Sequence, residues 1–174
     1  MPSRTNQHTI RTQRLTASAM FSALALIFSY IEAILPINVG VPGVKLGLAN
    51  LIIIIALYEL DAKYAFFINL IRICLAGLLF TGVMAMLYSL AGGMISLLVM
   101  ILLKKTGKFS MIGVSMAGGV SHNFGQLLVA SFVVSNMKMF LYFPILVFTG
   151  IASGIGIGIV AYIIDRRIPS SLLH

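Results

Sequence analysis

The fold class this sequence predicts is an all-α integral membrane protein, a compact bundle of six transmembrane helices with both termini cytoplasmic. Three observations carry that expectation. Of its 174 residues 60% are hydrophobic and only 9% charged, with a mean hydropathy of +1.07. Soluble domains have about 45–50% apolar and about 25% charged residues, so this chain lacks the polar surface to cover itself in water and must be solvated by lipid. The apolar residues fall into six runs separated by short polar or glycine-containing links. Lysine and arginine are divided very unequally between alternate links.

Residues 1–14 are polar and basic without helical periodicity and are expected as a tail on the cytoplasmic surface. The first span, Leu15 to Leu35, follows Arg4, Arg11 and Arg14, a start like that of a signal peptide. Its length of about 20 residues exceeds the roughly 7–15 of a signal h-region, and no small-x-small cleavage site ends it, so it is expected to be retained. Small residues at Ser18, Ser22, Ala25 and Ser29 share one face, with Ala19 and Ala23 beside them. In lipid such faces permit close approach, either by another helix of this chain or by a partner.

The stretch Pro36–Asn50 breaks the apolar pattern with Pro36, Gly40, Pro42 and Gly43, and is expected to be a gate loop with Lys45 at its rim. A second span, Leu46 to about Leu60, leads to the charged link Glu59–Lys63. The third span, Tyr64 to about Phe80, ends at Thr81–Gly82. The fourth, Val83 to Leu103, ends in a basic loop containing Lys104, Lys105 and Lys108. The fifth runs from Met111 to Val134. The sixth, Phe140 to about Ile164, carries Gly150, Gly154 and Gly158 at i, i+4 and i+8, a ridge for close helix packing. The basic tail 165–174 follows, leaving 15–164 as one transmembrane domain.

Orientation follows from the positive residues. With the N-terminus inside, the inner segments hold Arg4, Arg11, Arg14, Lys63, Lys104, Lys105, Lys108, Arg166 and Arg167, whereas the outer ones hold Lys45 and Lys138. The charge of +8 is thereby accounted for by topology and anionic headgroups. No aromatic-interleaved basic stripe suggests a nucleic-acid partner. The one cysteine, Cys74, has no partner for a disulfide or a metal site.

Polar groups at membrane depth cost several kcal/mol, roughly, unless paired or lining a cavity. Glu32, Lys45, Asn50, Asn69, Arg72, Tyr88, His122, Asn123 and Gln126 are therefore the residues of interest. At about 1.5 Å per residue they concentrate between mid-membrane and the outer surface, while the inner halves of the spans read as hydrocarbon. That distribution describes a pocket open to the outside, positive at Lys45 and Arg72, suited to a carboxylate, phosphate or diphosphate. The bland readings stand beside it. Arg72 can pair with Glu32, the His122–Gln126 group can be interhelical hydrogen-bonding glue, Lys45 can snorkel, and Tyr88 can be an interfacial aromatic.

Catalysis is not expected. The chain has four acidic residues and no aspartate-rich cluster to hold Mg²⁺ against a diphosphate. It has no nucleophile elbow, zinc-protease or phosphate-loop motif. No cofactor or metal is called for.

The runs PGVKLGLANL (42–51), SLAGG (89–93) with SLLVM (96–100), and GGVSHNFGQL (118–127) resemble the bacterial Gx transporter family, also called heptaprenyl diphosphate synthase component I. The resemblance covers about Leu15 to Ile164. In fold the chain looks like the substrate-binding S components of energy-coupling-factor transporters. That likeness implies a multi-pass protein of the bacterial plasma membrane, with an outward-facing pocket under the loop between helices 1 and 2. It also implies a docking face, here Ala19 and Ala23, for a transmembrane coupling subunit powered by two cytoplasmic ATPases. Lys45, Asn50, Arg72, His122, Asn123 and Gln126, with Glu32 and Tyr88, would line the pocket for a vitamin-, quinone-precursor- or isoprenoid-like solute. The alternatives are a non-catalytic accessory subunit of heptaprenyl diphosphate or menaquinone side-chain synthesis, and a membrane scaffold of a redox complex.

Overall fold

A computed structural model describes residues 4–35 and 47–168. The described residues form six α-helices, α1 (Arg4–Ile34), α2 (Leu48–Glu59), α3 (Ala62–Ala76), α4 (Val83–Thr106), α5 (Met111–Val134) and α6 (Phe143–Asp165), with no strand among them. A π-helical turn, Gly77–Thr81, extends α3, and a 3-10 turn, Met137–Tyr142, leads into α6. The gate-loop residues Pro36, Gly40, Pro42 and Gly43, and Lys45 with them, lie outside the described residues.

The helix ends follow local chemistry. Asp61 accepts a hydrogen bond from the Ala62 N–H at 2.6 Å and starts α3, and Ser110 accepts from the Gly113 N–H at 3.2 Å and starts α5. Pro144 lies in the first turn of α6, where its missing N–H costs nothing. Gly107, at φ +66°, ends α4 in the left-handed conformation that glycine adopts without strain.

Among the described residues four helical segments are long and apolar enough to cross a membrane: 11–34, 62–81, 83–106 and 137–165. The other two of the six expected spans fall short of that criterion, for different reasons. At 12 residues, α2 is about 18 Å long, well short of about 30 Å of hydrocarbon. In α5 the length suffices, but Ser115, Ser121, His122, Asn123 and Gln126 dilute its apolar character. A further difference lies at the start of the chain. Helix α1 begins at Arg4, well inside the tail expected to be without helical pattern.

The short α2 is the centre of the molecule. Every residue from Leu51 to Leu57 is buried, packed with Ala25 of α1, Ile68 of α3, Leu97 of α4 and Ala161 of α6. Its C-terminus is held by Lys104, whose Nζ donates to the Leu57 carbonyl at 2.6 Å and lies 4.7 Å from the Tyr58 ring centroid. Around it, α4, α5 and α6 pack backbone to backbone. A Cβ on Gly154 would stand 2.6 Å from Met116 Cα, and one on Gly158 would stand 2.8 Å from Ile112 Cα. The Gly150, Gly154, Gly158 ridge therefore lies against α5.

Candidate functional site

At the end of the bundle where α2 begins, α3 presents Arg72, 6% exposed. The partners of its guanidinium are neutral. Asn69, one helical turn earlier, accepts from Nε at 3.1 Å and from Nη2 at 2.9 Å. Asn50 of α2 accepts from Nη2 at 3.2 Å. Among the described residues Nη1 reaches only Ser29 Oγ of α1, at 3.5 Å. Asn69 is itself fixed by donating its Nδ2 to the Gly93 carbonyl at 3.0 Å.

Glu32 is the acidic group whose charge reaches Arg72, but its carboxylate is engaged elsewhere. It accepts the backbone N–H of Gly47, the residue before α2. Gly47 sits at φ +76°, and a Cβ there would come within 3.1 Å of Ile157, so glycine suits both the turn and the space. The direct ion pair weighed for Arg72 and Glu32 gives way to two separate anchors, one on an amide pair and one on a helix start.

The glycine pair of α4 seats the polar residues. A Cβ on Gly92 would meet the His122 carbonyl at 2.7 Å and the Gln126 Cγ at 2.9 Å. One on Gly93 would meet Ile73 Cδ1 at 2.9 Å and Asn69 Nδ2 at 3.1 Å. These glycines let α4 approach α5 and α3 closely enough for His122 and Asn69 to face a common interior.

Two small cavities open there and share Gly47, Asn50 and His122. The first, with about 30 Å³ of room, is lined by Ser29, Glu32, Arg72, Thr81 and Ser89 besides the shared residues. The second, with about 20 Å³, lies further along α2 and is bounded by Ser96, Ser115, Asn123 and Ser153. Spaces of this size hold one or two waters, so a ligand enters only as the helices part.

Of the residues singled out from the sequence, Glu32, Asn50, Arg72 and His122 meet at the first cavity. Asn123 borders only the second, and its Nδ2 donates to Leu146 O at 2.8 Å and Thr149 Oγ1 at 3.4 Å, binding α5 to α6. Gln126 packs against Gly92 and lines neither cavity, and half-buried Tyr88 yields its place to Ser89. Ala19 and Ala23 are exposed on α1. The expectation of pure hydrocarbon in the half of the bundle away from Arg72 is corrected by Ser96, Ser115 and Ser153. A sequence sign of that lobe existed. Ser115, Gly118 and His122 recur at i, i+3 and i+7, one helical face.

The first cavity holds a buried cation supported by amides and a hydroxyl, with the Glu32 carboxylate in the same lining. It offers no set of three metal-ligating side chains among the described residues. The match that bears on this geometry is a family model described as heptaprenyl diphosphate synthase component I, which covers residues 21–164. No curated protein and no solved structure matches the chain.

Proposed function

The chain belongs to the heptaprenyl diphosphate synthase component I family, and on that footing we propose that it is a non-catalytic membrane subunit that binds a small anionic molecule at Arg72. The carrying observation is a guanidinium 6% exposed whose hydrogen-bond partners among the described residues are all neutral, with Nη1 held among them by a single 3.5 Å contact beside a cavity. A buried guanidinium with no direct ion pair among the described residues is costly even with the Glu32 charge nearby, and an anion entering the cavity relieves that cost.

The fuller reading is a substrate-binding subunit of an uptake transporter, resembling an S component. It sits in the bacterial plasma membrane with both termini in the cytoplasm, and its pocket opens outward. Ala19 and Ala23, exposed on α1, form the face for a coupling subunit driven by cytoplasmic ATPases. Asn50, Glu32 and His122 complete the pocket. Asn123, Gln126 and Tyr88 support it from behind.

The family's description favours a second reading, an accessory component in prenyl diphosphate synthesis. With four acidic residues in the whole chain, the elongation chemistry would belong to a partner, because the diphosphate-bound Mg²⁺ ions of such reactions need clustered carboxylates. Affinity purification from native membranes separates the two readings. ATPases and a coupling protein in the eluate support transport, and a soluble prenyltransferase in their place supports the accessory role. Small molecules released by denaturing the purified chain test the site itself. Wild type should release an anion that Arg72→Ala at equal folded yield does not. Parallel loss of yield and anion would make Arg72 a structural residue.

A further inference from the structure

The second cavity carries chemistry that the Arg72 site does not use. Two of its hydroxyls already donate their protons to the backbone. Ser96 Oγ donates to Gly118 O at 2.8 Å, and Ser153 Oγ donates to Gly150 O at 3.4 Å. Asn123 likewise spends its Nδ2 on α6. What these side chains still have to offer is oxygen lone pairs. Ser115, 5% exposed, makes no hydrogen bond among the described residues and borders the same space. The lobe is thus a set of acceptors, buried at Ser96, Ser115 and Asn123 and half-buried at Ser153, with one uncommitted hydroxyl, and a donor brought among them finds lone pairs to bond.

The lobe is also contiguous with the cation. Asn50, whose Oδ1 accepts from Arg72 at 3.2 Å, borders both cavities, as do Gly47 and His122. A molecule whose anionic group meets Arg72 has its other end directed past Asn50 into the acceptors. Met100 and Ile157 limit the space, and glycine backbone at Gly118, Gly119 and Gly154 forms much of its wall.

We propose that the Ser96–Ser115–Ser153 lobe is the second half of the ligand site, taking the N–H- or O–H-bearing end of a compact anion and rejecting prenyl diphosphates. The inference rests on the reading of Arg72 as the anion anchor. The physical reason for the exclusion is that an isoprenoid chain has no donors. Placed there, it would strip water from the serine and asparagine oxygens and return nothing. A polar molecule with a carboxylate or phosphate at one end and amide, amine or hydroxyl donors at the other satisfies both lobes.

The test is thermal unfolding of the full chain in lipid nanodiscs, titrated with the water-soluble small-molecule fraction of a bacterial extract and separately with farnesyl diphosphate. The aqueous fraction should raise the Tm of wild type, and farnesyl diphosphate should leave it unchanged. For Ser115→Ala/Ser153→Ala, the extract concentration giving the half-maximal shift should rise about tenfold, as expected for lost hydrogen bonds to a bound molecule. Should that double variant fail to fold, Ser115→Ala alone removes no existing hydrogen bond and carries the comparison. Stabilisation by farnesyl diphosphate, or serine variants that titrate like wild type, would overturn the inference while leaving the Arg72 site intact. A wild type unmoved by the aqueous fraction, or an Arg72→Ala variant that responds normally, would bring down the anion-binding reading and this one with it.

Discussion

Asn69 shows how a single amide can set the geometry of a charged site. Its Oδ1 receives two hydrogen bonds from Arg72, and its Nδ2 anchors to the Gly93 carbonyl, so the guanidinium is oriented by α4 through α3. Asn69→Ala should cost about 1–3 kcal/mol, the range for hydrogen bonds to a buried charge, measured as the shift in thermal unfolding of the detergent-solubilised chain. Asn69→Asp keeps the Oδ1 that accepts both Arg72 bonds and sets a carboxylate directly on the guanidinium, while turning an oxygen toward the Gly93 carbonyl in place of the Nδ2 donor. It should abolish anion binding, because the site would then be neutralised from within, and the oxygen–oxygen contact should offset part of the stability gained from the new ion pair. An Asn69→Asp variant that still binds its anion would show that charge is not what the cavity recognises. A second titratable group lies outside the four long apolar segments. Burial, reinforced by a hydrogen bond and repulsion from Asp165, raises the Glu59 carboxyl to about 7 against the pull of Lys104. The folded chain then holds a proton that the unfolded chain releases near 4.5. The stability from this group is complete below that value and is lost as the pH rises through about 7. The Tm of wild type should fall across that interval, and Glu59→Gln should flatten the decline. Equal slopes for the two proteins would refute the assignment.

Helix packing is governed by where glycine meets backbone. A Cβ on Gly150 would lie 2.9 Å from Val120 Cα and N, which cannot rotate away as a side chain can. Gly150→Ala should therefore separate α5 from α6 at a cost of about 1–3 kcal/mol. Gly156, on the same helix, would meet nothing within 4 Å. Gly156→Ala should be neutral or gain up to about 1 kcal/mol from helix propensity. Thermal melts of the pair separate a packing role from a composition effect, since the two changes are chemically identical and lie on one helix. The π-helical turn after α3 belongs to the same scale. It carries α3 on to Thr81, which borders the Arg72 cavity, and so lengthens a 15-residue helix into a 20-residue segment able to cross a bilayer.

For the whole molecule, the short α2 acts as a strut between two polar ends. Its start carries Asn50, with Gly47 just before it, to the Arg72 cavity, and its last turn carries Tyr58 and Glu59 to Lys104 and Asp165. A ligand that parts the helices around Asn50 moves an element that also abuts the opposite end of the bundle. The large exposed apolar face of α1, including Met20, Leu24, Ile27 and Ile34, suits lipid, and Ala19 and Ala23 leave a shallow track within it. Ala19→Leu with Ala23→Leu should fill that track and abolish co-purification with a coupling subunit while leaving the thermal response to ligand unchanged. Co-purification that survives both leucines would remove this face as the docking surface.

Much of the architecture was legible in the sequence. Composition alone established a lipid-solvated helical chain, and the breaks at Gly82, Gly107 and Ser135 marked helix ends close to where they fall. The importance of Arg72 followed from the cost of a cation in an apolar run. Which residues join it did not follow, because helices that are apolar on every side carry no stripe to fix their rotation about their own axes. Tyr88 and Ser89, or Asn123 and His122, are indistinguishable by depth and differ only in direction. Tertiary contact decided those pairs: glycine at 92 and 93 let α4 press against α5 and α3, and that close approach turned Ser89, His122 and Ser96 inward. The sequence by itself determined that a polar interior must exist. The crossing of α2, α4, α5 and α6 decided that it is two joined lobes, because only their close packing brings Asn50 and His122 to border both.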